Sequence, residues 1–192
     1  MEDTRNRILK AALELFSKHG YTGATTREIA RVSHVTEVTL FRHFPSKGKL
    51  FEVVVLRNLP GPEFDQFVTN AKKLEYRQAL ESIAHYFLEG LKQNEDLIRI
   101  LYMESQRHYE LMEQVYAALI NNLNVILEDY FRELQEGNII RKFNPLVGAK
   151  MFSGIWIGFY EEEHFFAIDP GKVPTAEAIC ECIEIFVRGT QA

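Results

Sequence analysis

A chain of 192 residues and 22.3 kDa can bury a core without disulfides or metals, and its length suits a small domain followed by a larger one. With 46% hydrophobic and 26% charged residues it has the make-up of an ordinary globular protein, which argues against extensive disorder. Its net charge of −5 argues against nucleic acid only until the distribution is read: residues 1–56 hold nine Lys or Arg against six acids, a net +3 that leaves −8 on the remainder, as expected of a basic reading head on an acidic body.

The opening MEDTRNRILK lacks the charged, then apolar, then small pattern of a signal peptide, and no run reaches the roughly 18 apolar residues of a membrane helix, so a cytoplasmic protein without membrane contact is expected. Helical periodicity runs from end to end with no period-2 strand, which predicts an all-α fold. Ile8, Leu9, Ala12, Leu15 and Phe16 make the inner stripe of a first helix that stops at Gly20, a position where glycine ends helices readily. From Thr25 to Phe51 the chain reads as three short helices separated by turns. Thr25 and Glu28 have the Thr-x-x-Glu spacing of a capping box, with Ile29 and Ala30 facing inward. After Ser33 and His34, Thr36 caps a second helix whose Leu40 and Phe44 share a buried face. Pro45 and Ser46 end it and open the next, which carries Leu50, Phe51, Val54 and Val55 toward the break Pro60-Gly61-Pro62. Two compact helices on a short turn, the second with small polar and basic residues outward, suit the major groove. Beyond the break, helices are predicted at about 63–73, 76–92, 95–105, 108–136, 145–162 and 175–189, interrupted at Gly90 to Asn94, Gly137-Asn138, Asn144-Pro145 and Asp169-Pro170-Gly171. Cys180 and Cys182, two apart in a helix, point in different directions and read as two buried, unbridged thiols.

The segments ILKAALELFSKHGYTGATTREIA, V-T-x-V-T-L-F-x-H-F and SKGKLF, in that order within the first 55 residues, resemble the tetracycline-repressor (TetR) family of bacterial transcription regulators. GNIIRKFNPLVGAKMFSGIWIGF resembles the family more weakly. The resemblance implies a helix-turn-helix domain over residues 1–58, including the start of a linking fourth helix, and a helical effector-binding and dimerisation domain over 59–192, about nine helices in all. It implies a ligand-responsive regulator, a repressor released from a palindromic operator by a small molecule, with no catalysis and no cofactor. Carried onto this sequence, the DNA-contacting positions are Thr26, Arg27, Thr36, Glu37, Val38, Thr39, Phe41, Arg42, His43 and Lys47. Their chemistry agrees. Thr39, His43 and Lys47 offer donors to phosphate oxygens, Arg27 a fork for guanine, Glu37 an acceptor for cytosine N4 and Val38 an apolar surface for a thymine methyl. The sequence departs from the family at His34, where a turn glycine is usual and a left-handed backbone is expected, and at Val38, Phe41 and Gly48.

A pocket among the family's helices 5 to 8 is implied, for which Tyr86, Tyr102, Met103, Arg107, His108, Met112, Trp156 and Tyr160 are the candidate lining, suited to a hydrophobic or aromatic effector. The last two helices, Pro145 to Phe159 and Thr175 to Arg188, numbers 8 and 9 of the family pattern, are the expected homodimer interface. Gly154 and Gly158 permit close approach there, and Ile179, Ile183 and Phe186 form an apolar stripe. A rival reading places an acid–base or metal site at His164 beside Glu161 to Glu163, or at His85 near Glu81 and Glu89; neither has a recognised metal spacing.

Overall fold

The computed structural model describes residues 3–59, 63–105, 107–164 and 175–191, and the breaks expected at Pro60 to Pro62 and at Asp169 to Gly171 lie outside them. The described chain is helical, as expected: α1 (Thr4–Gly23), α2 (Thr26–Val32), α3 (Glu37–His43), α4 (Lys47–Asn58), α5 (Phe64–Ala71), α6 (Tyr76–Gln93), α7 (Glu95–Glu104), α8 (Tyr109–Glu136), α9 (Pro145–His164) and α10 (Thr175–Thr190). These are ten helices where about nine were implied. The short α5 buries Phe64, Val68 and Ala71. The anticipated interruption at Gly90 is absent: α6 continues to Gln93, and the break falls at Asn94 alone.

By packing, the chain divides into two compact units, residues 1–59 with 94–119 and residues 60–93 with 120–192. In the first, α1 packs on α2, α4 and α7, and its stripe Ile8, Leu9, Ala12, Leu15 and Phe16 is buried as the periodicity predicts. Phe16 meets Phe51 of α4 edge-on at 5.1 Å between ring centres. Gly20, at φ 69 and ψ 176, breaks the helical path of α1, a conformation open essentially to glycine alone. A last turn follows, closed by Ala24 N–H donating to Gly20 O at 3.2 Å.

The second unit is built on aromatic packing from α6, the later part of α8, α9 and α10. Phe131 of α8 and Phe152 of α9 each pack against Phe186 of α10, at 5.7 and 5.4 Å. Tyr76 and Thr190 join the ends of α6 and α10 through a buried 2.7 Å hydrogen bond. Because the Thr190 hydroxyl donates to Phe186 O, Tyr76 is the donor. Buried Asn124 accepts from Ser153 Oγ at 3.1 Å, so neither polar group is orphaned. Arg77 of α6 pairs with Glu81 and with Glu184 of α10. The α8–α9 connection turns at Asn138, φ 52, and Asn144 Oδ1 caps α9 by accepting from Leu146 N–H at 3.0 Å, with Pro145 at the first helical position.

Two details differ from the sequence reading. Cys180 is exposed and Cys182 half-buried, rather than both being interior; the Cys180 Sγ lies 3.8 Å from the Arg77 guanidinium Nη2. The stripe Ile179, Ile183 and Phe186 is buried in the chain's own core, and the exposed apolar side chain of α10 is Ile185. A period of 3.6 identifies an apolar face without saying which neighbour covers it.

Candidate nucleic-acid interface

Helices α2 and α3 owe their shape to caps at both starts and apolar residues beneath. Thr25 Oγ1 accepts from Glu28 N–H at 3.2 Å, while the Glu28 carboxylate turns to Arg31 at 2.6 Å. Only the hydroxyl half of the expected reciprocal box therefore forms. Thr36 Oγ1 accepts from Thr39 N–H at 3.2 Å, and Ser46 opens α4 by accepting from Lys49 N–H at 3.0 Å. Between α2 and α3 the chain turns at His34, φ 56, the left-handed conformation expected where the family has glycine and one that His adopts more readily than most residues. Buried Ser33 reinforces the turn by donating to Ile29 O at 2.7 Å. Ile29, Ala30, Leu40 and Phe44 are buried beneath, so the outward face rests on a packed base.

That outward face carries the ten candidate DNA contacts. Arg27, Thr36, Glu37, Val38, Phe41 and Arg42 are exposed, and Thr26, Thr39, His43 and Lys47 partly so. Val38 is 80% exposed, a position that nothing in the chain's own core explains. The Thr26 hydroxyl donates to Glu37 Oε1 at 2.8 Å, tying the start of α2 to the start of α3. The Arg5 guanidinium lies 5.2 Å over the Phe44 ring, tying α1 to the end of α3.

Lys47 is less free than a solvent lysine. Its ammonium lies 4.5 Å over the Tyr21 ring and donates to Thr22 O at 3.3 Å. Burial pushes its pKa below the ordinary lysine value, against a smaller opposing pull from Glu104. Glu104, at the end of α7, accepts from Thr22 N–H at 3.2 Å and from the Thr22 hydroxyl at 3.0 Å. His108 Nε2 lies 3.2 Å from that hydroxyl, and the His108 ring meets Tyr21 at 5.0 Å. Sequence reasoning missed Tyr21, Thr22 and Glu104, since more than 80 positions separate Thr22 from Glu104 and nothing local links them. A Cβ added at Gly48 would meet Leu111 Cδ1 at 3.2 Å, a tight contact.

The candidate ligand residues fall apart by unit. Tyr102, Met103, Arg107, His108 and Met112 belong to the first, and Tyr86, Trp156 and Tyr160 to the second. Tyr102, Met103 and Arg107 are exposed, while Met112 is buried. Tyr86 stacks on Phe67 at 4.2 Å, and Trp156 and Tyr160 line a cleft in the second unit. Among the described residues no group of three or more His, Cys, Asp or Glu is placed to hold a metal ion, and none of the described helices is long and apolar enough to cross a membrane. Of the rival acid–base residues, Glu81 is engaged by Arg77 and His164 Nδ1 lies 3.0 Å from Tyr160 O.

Two short helices on a capped, left-handed turn, with a positively charged segment around them and an outward apolar and polar face, define a helix-turn-helix DNA-binding protein. Residues 8–54 match the sequence profile described as bacterial regulatory proteins, tetR family, a match that supports a TetR-family regulator. It is 27% identical over 192 residues to the HTH-type transcriptional regulator YvkB of Bacillus subtilis, all of both chains being covered. It is 27% identical over 154 residues to the regulator UidR of Escherichia coli K12, covering 79% of this chain and 75% of that one. Among solved structures, a TetR-family regulator from Mesorhizobium loti shares the fold, with a TM-score of 0.81 at 20% identity over 98% of this chain and 97% of the other. These relatives are transcriptional regulators, not enzymes.

Proposed function

We propose that this TetR-family regulator is a ligand-responsive repressor: a cytoplasmic homodimer that holds a palindromic operator through two reading heads and releases it when a small molecule binds the helical body. The observation that carries the DNA half is the face of α3, where Val38 stands 80% exposed beside exposed Glu37, Phe41 and Arg42. In this reading Thr26, Thr36, Thr39, His43 and Lys47 hold phosphates and set register without reading sequence. Arg27 and Arg42 reach toward guanine or the backbone. The second oxygen of Glu37, free of Thr26, accepts from cytosine, and Val38 and Phe41 cover thymine methyls.

The dimer reading is supported by the outer faces of α9 and α10. Met151 and Ile185 are 60% and 69% exposed, and a Cβ added at Gly154 or Gly158 would meet nothing within 4 Å, leaving an open strip for another helix. A lone helix-turn-helix has one half-site to grip, whereas a two-fold pair engages two, about 34 Å apart on one face of the duplex. Effector and operator affinities are then reciprocally linked: whatever the effector takes from DNA binding, DNA takes from effector binding.

Base-by-base replacement of thymine with uracil in a bound duplex tests the reading of α3. At least one position should lose affinity in the native protein and lose none in Val38→Ala. Uniform affinity across all replacements would remove Val38 as a base reader.

A further inference from the structure

The lysine at the head of α4 is seated by residues outside the helix-turn-helix. Lys47 rests its ammonium over the Tyr21 ring and on Thr22 O, both in the last turn that α1 makes after its path breaks at Gly20. Apart from the closing bond of Ala24 N–H to Gly20 O, that turn is held from the end of α7. Glu104 Oε1 accepts from Thr22 N–H at 3.2 Å and Oε2 from the Thr22 hydroxyl at 3.0 Å, so one carboxylate grips the turn by backbone and side chain together.

All of these parts belong to one compact unit. The Glu104 side chain is only 12% exposed, and a carboxylate so withdrawn from water needs such hydrogen bonds to stay charged. A Cβ at Gly20 would meet Glu104 Oε1 at 3.3 Å, so the glycine whose φ of 69 breaks α1 also leaves the carboxylate its place. Because the Thr22 hydroxyl gives its proton to Glu104, His108 Nε2, 3.2 Å from the same oxygen, donates to it. The His108 ring meets Tyr21 edge-on at 5.0 Å, and Phe51 of α4 meets the same ring at 5.2 Å. The ring under the ammonium is therefore fixed from several elements.

We propose that Glu104 is a positioning residue for the Lys47 phosphate contact: by holding Thr22, and with it Tyr21, it fixes where the ammonium stands. The inference rests on the reading of Lys47 as a phosphate contact. A lysine already seated loses less rotamer freedom when a phosphate arrives, and an ammonium with one donor on Thr22 O has others to give. If the carboxylate acted only as a counter-charge that opposes the phosphate, its removal would tighten DNA binding; a positioning role predicts the reverse.

The seat can be read without DNA. In isotope-labelled protein the Lys47 Hε signals, identified by their loss in Lys47→Ala, should be shifted upfield by the Tyr21 ring. The shift should persist in Glu104→Gln, whose amide oxygen can still accept from Thr22 N–H, and be largely lost in Glu104→Ala. Duplex binding over a salt series reads the consequence. Glu104→Ala should lower affinity by about threefold or more and bring the slope of log affinity against log salt toward that of Lys47→Ala, while costing less than about twofold in the Lys47→Ala background. Thr22→Val, at an exposed position, should move both readouts the same way and carries the test if Glu104→Ala does not fold. An ordinary Lys47 signal in the native protein, a ring shift that survives both variants, equal losses in the two Lys47 backgrounds, or a gain in affinity overturns the proposal. An unchanged salt slope in Lys47→Ala alone would instead remove the phosphate reading of Lys47, and this inference with it.

Discussion

Among single residues, Lys47 gives the proposed phosphate contacts their sharpest test. The sequence places this lysine at the start of a helix, where a cation opposes the dipole and a phosphate would be welcome. The structure adds what no spacing reveals: the ammonium rests over Tyr21 and against Thr22 O, beside the Glu104 carboxylate that holds Thr22. Lys47→Ala should weaken binding about equally across duplex sequences and reduce the slope of log affinity against log salt by about one. A salt titration by fluorescence anisotropy measures that slope, and an unchanged slope removes Lys47 from the phosphate contacts. His34 was legible in advance because the turn demanded a left-handed residue; Thr22 was not, because its partners are remote in sequence. Tyr76 makes a prediction about pH. Burial raises its phenol from the ordinary 10.0 to about 12, partly offset by the bond to Thr190. Below pH 10 the group is neutral in both states and its full contribution is present. Between pH 10 and 12 the unfolded chain ionises first, so stability falls as pH rises. Tyr76→Phe should cost about 1 kcal/mol at neutral pH through the lost bond. It should also reduce the alkaline loss by about 2–3 kcal/mol, read from urea unfolding at a series of pH values.

At the level of helices, starts were easier to read than environments. Thr25, Thr36 and Ser46 cap where the sequence opens a helix, and Asn144 caps α9 at a break the sequence marks, because a cap is a local hydrogen bond between near neighbours. What covers an apolar face is not local, and for that reason Ile179, Ile183 and Phe186 were assigned to a partner when they fill their own core. The α3 face was legible for the converse reason: Val38 and Phe41 interrupt a helix whose buried positions Leu40 and Phe44 are already accounted for. Gly148 shows packing that composition cannot announce. A Cβ there would fall 2.4 Å from Phe143 Cε2, a ring held between Phe131 at 6.0 Å and the Arg141 guanidinium at 5.8 Å. Gly148→Ala should destabilise the protein by about 1–3 kcal/mol despite the better helix propensity of alanine. Denaturant midpoints test this, and a stabilised variant would mean that the Phe143 ring moves freely.

Across the whole molecule charge is unevenly spread along the chain, with net +3 over residues 1–56 and −8 over the rest. In the proposed reading that asymmetry concentrates attraction to a polyanion on the N-terminal segment. All-helical architecture and the DNA-binding class were legible in the sequence, because helix period, caps and turn residues agree from Thr4 to His43. The ligand side was less so: eight aromatic, Met and basic candidates distribute over both compact units, since helical spacing does not distinguish a core ring from a lining one. The central claim, that α2 and α3 read a two-fold operator, is met most directly by enriching bound duplexes from a random pool. The account predicts inverted repeats with half-site centres about 34 Å, or a whole number of turns, apart, and loss of that enrichment in the Arg27→Ala, Val38→Ala double variant while salt-sensitive binding remains. A pool that emerges without any shared sequence, although the native protein binds duplex at low salt, would contradict it.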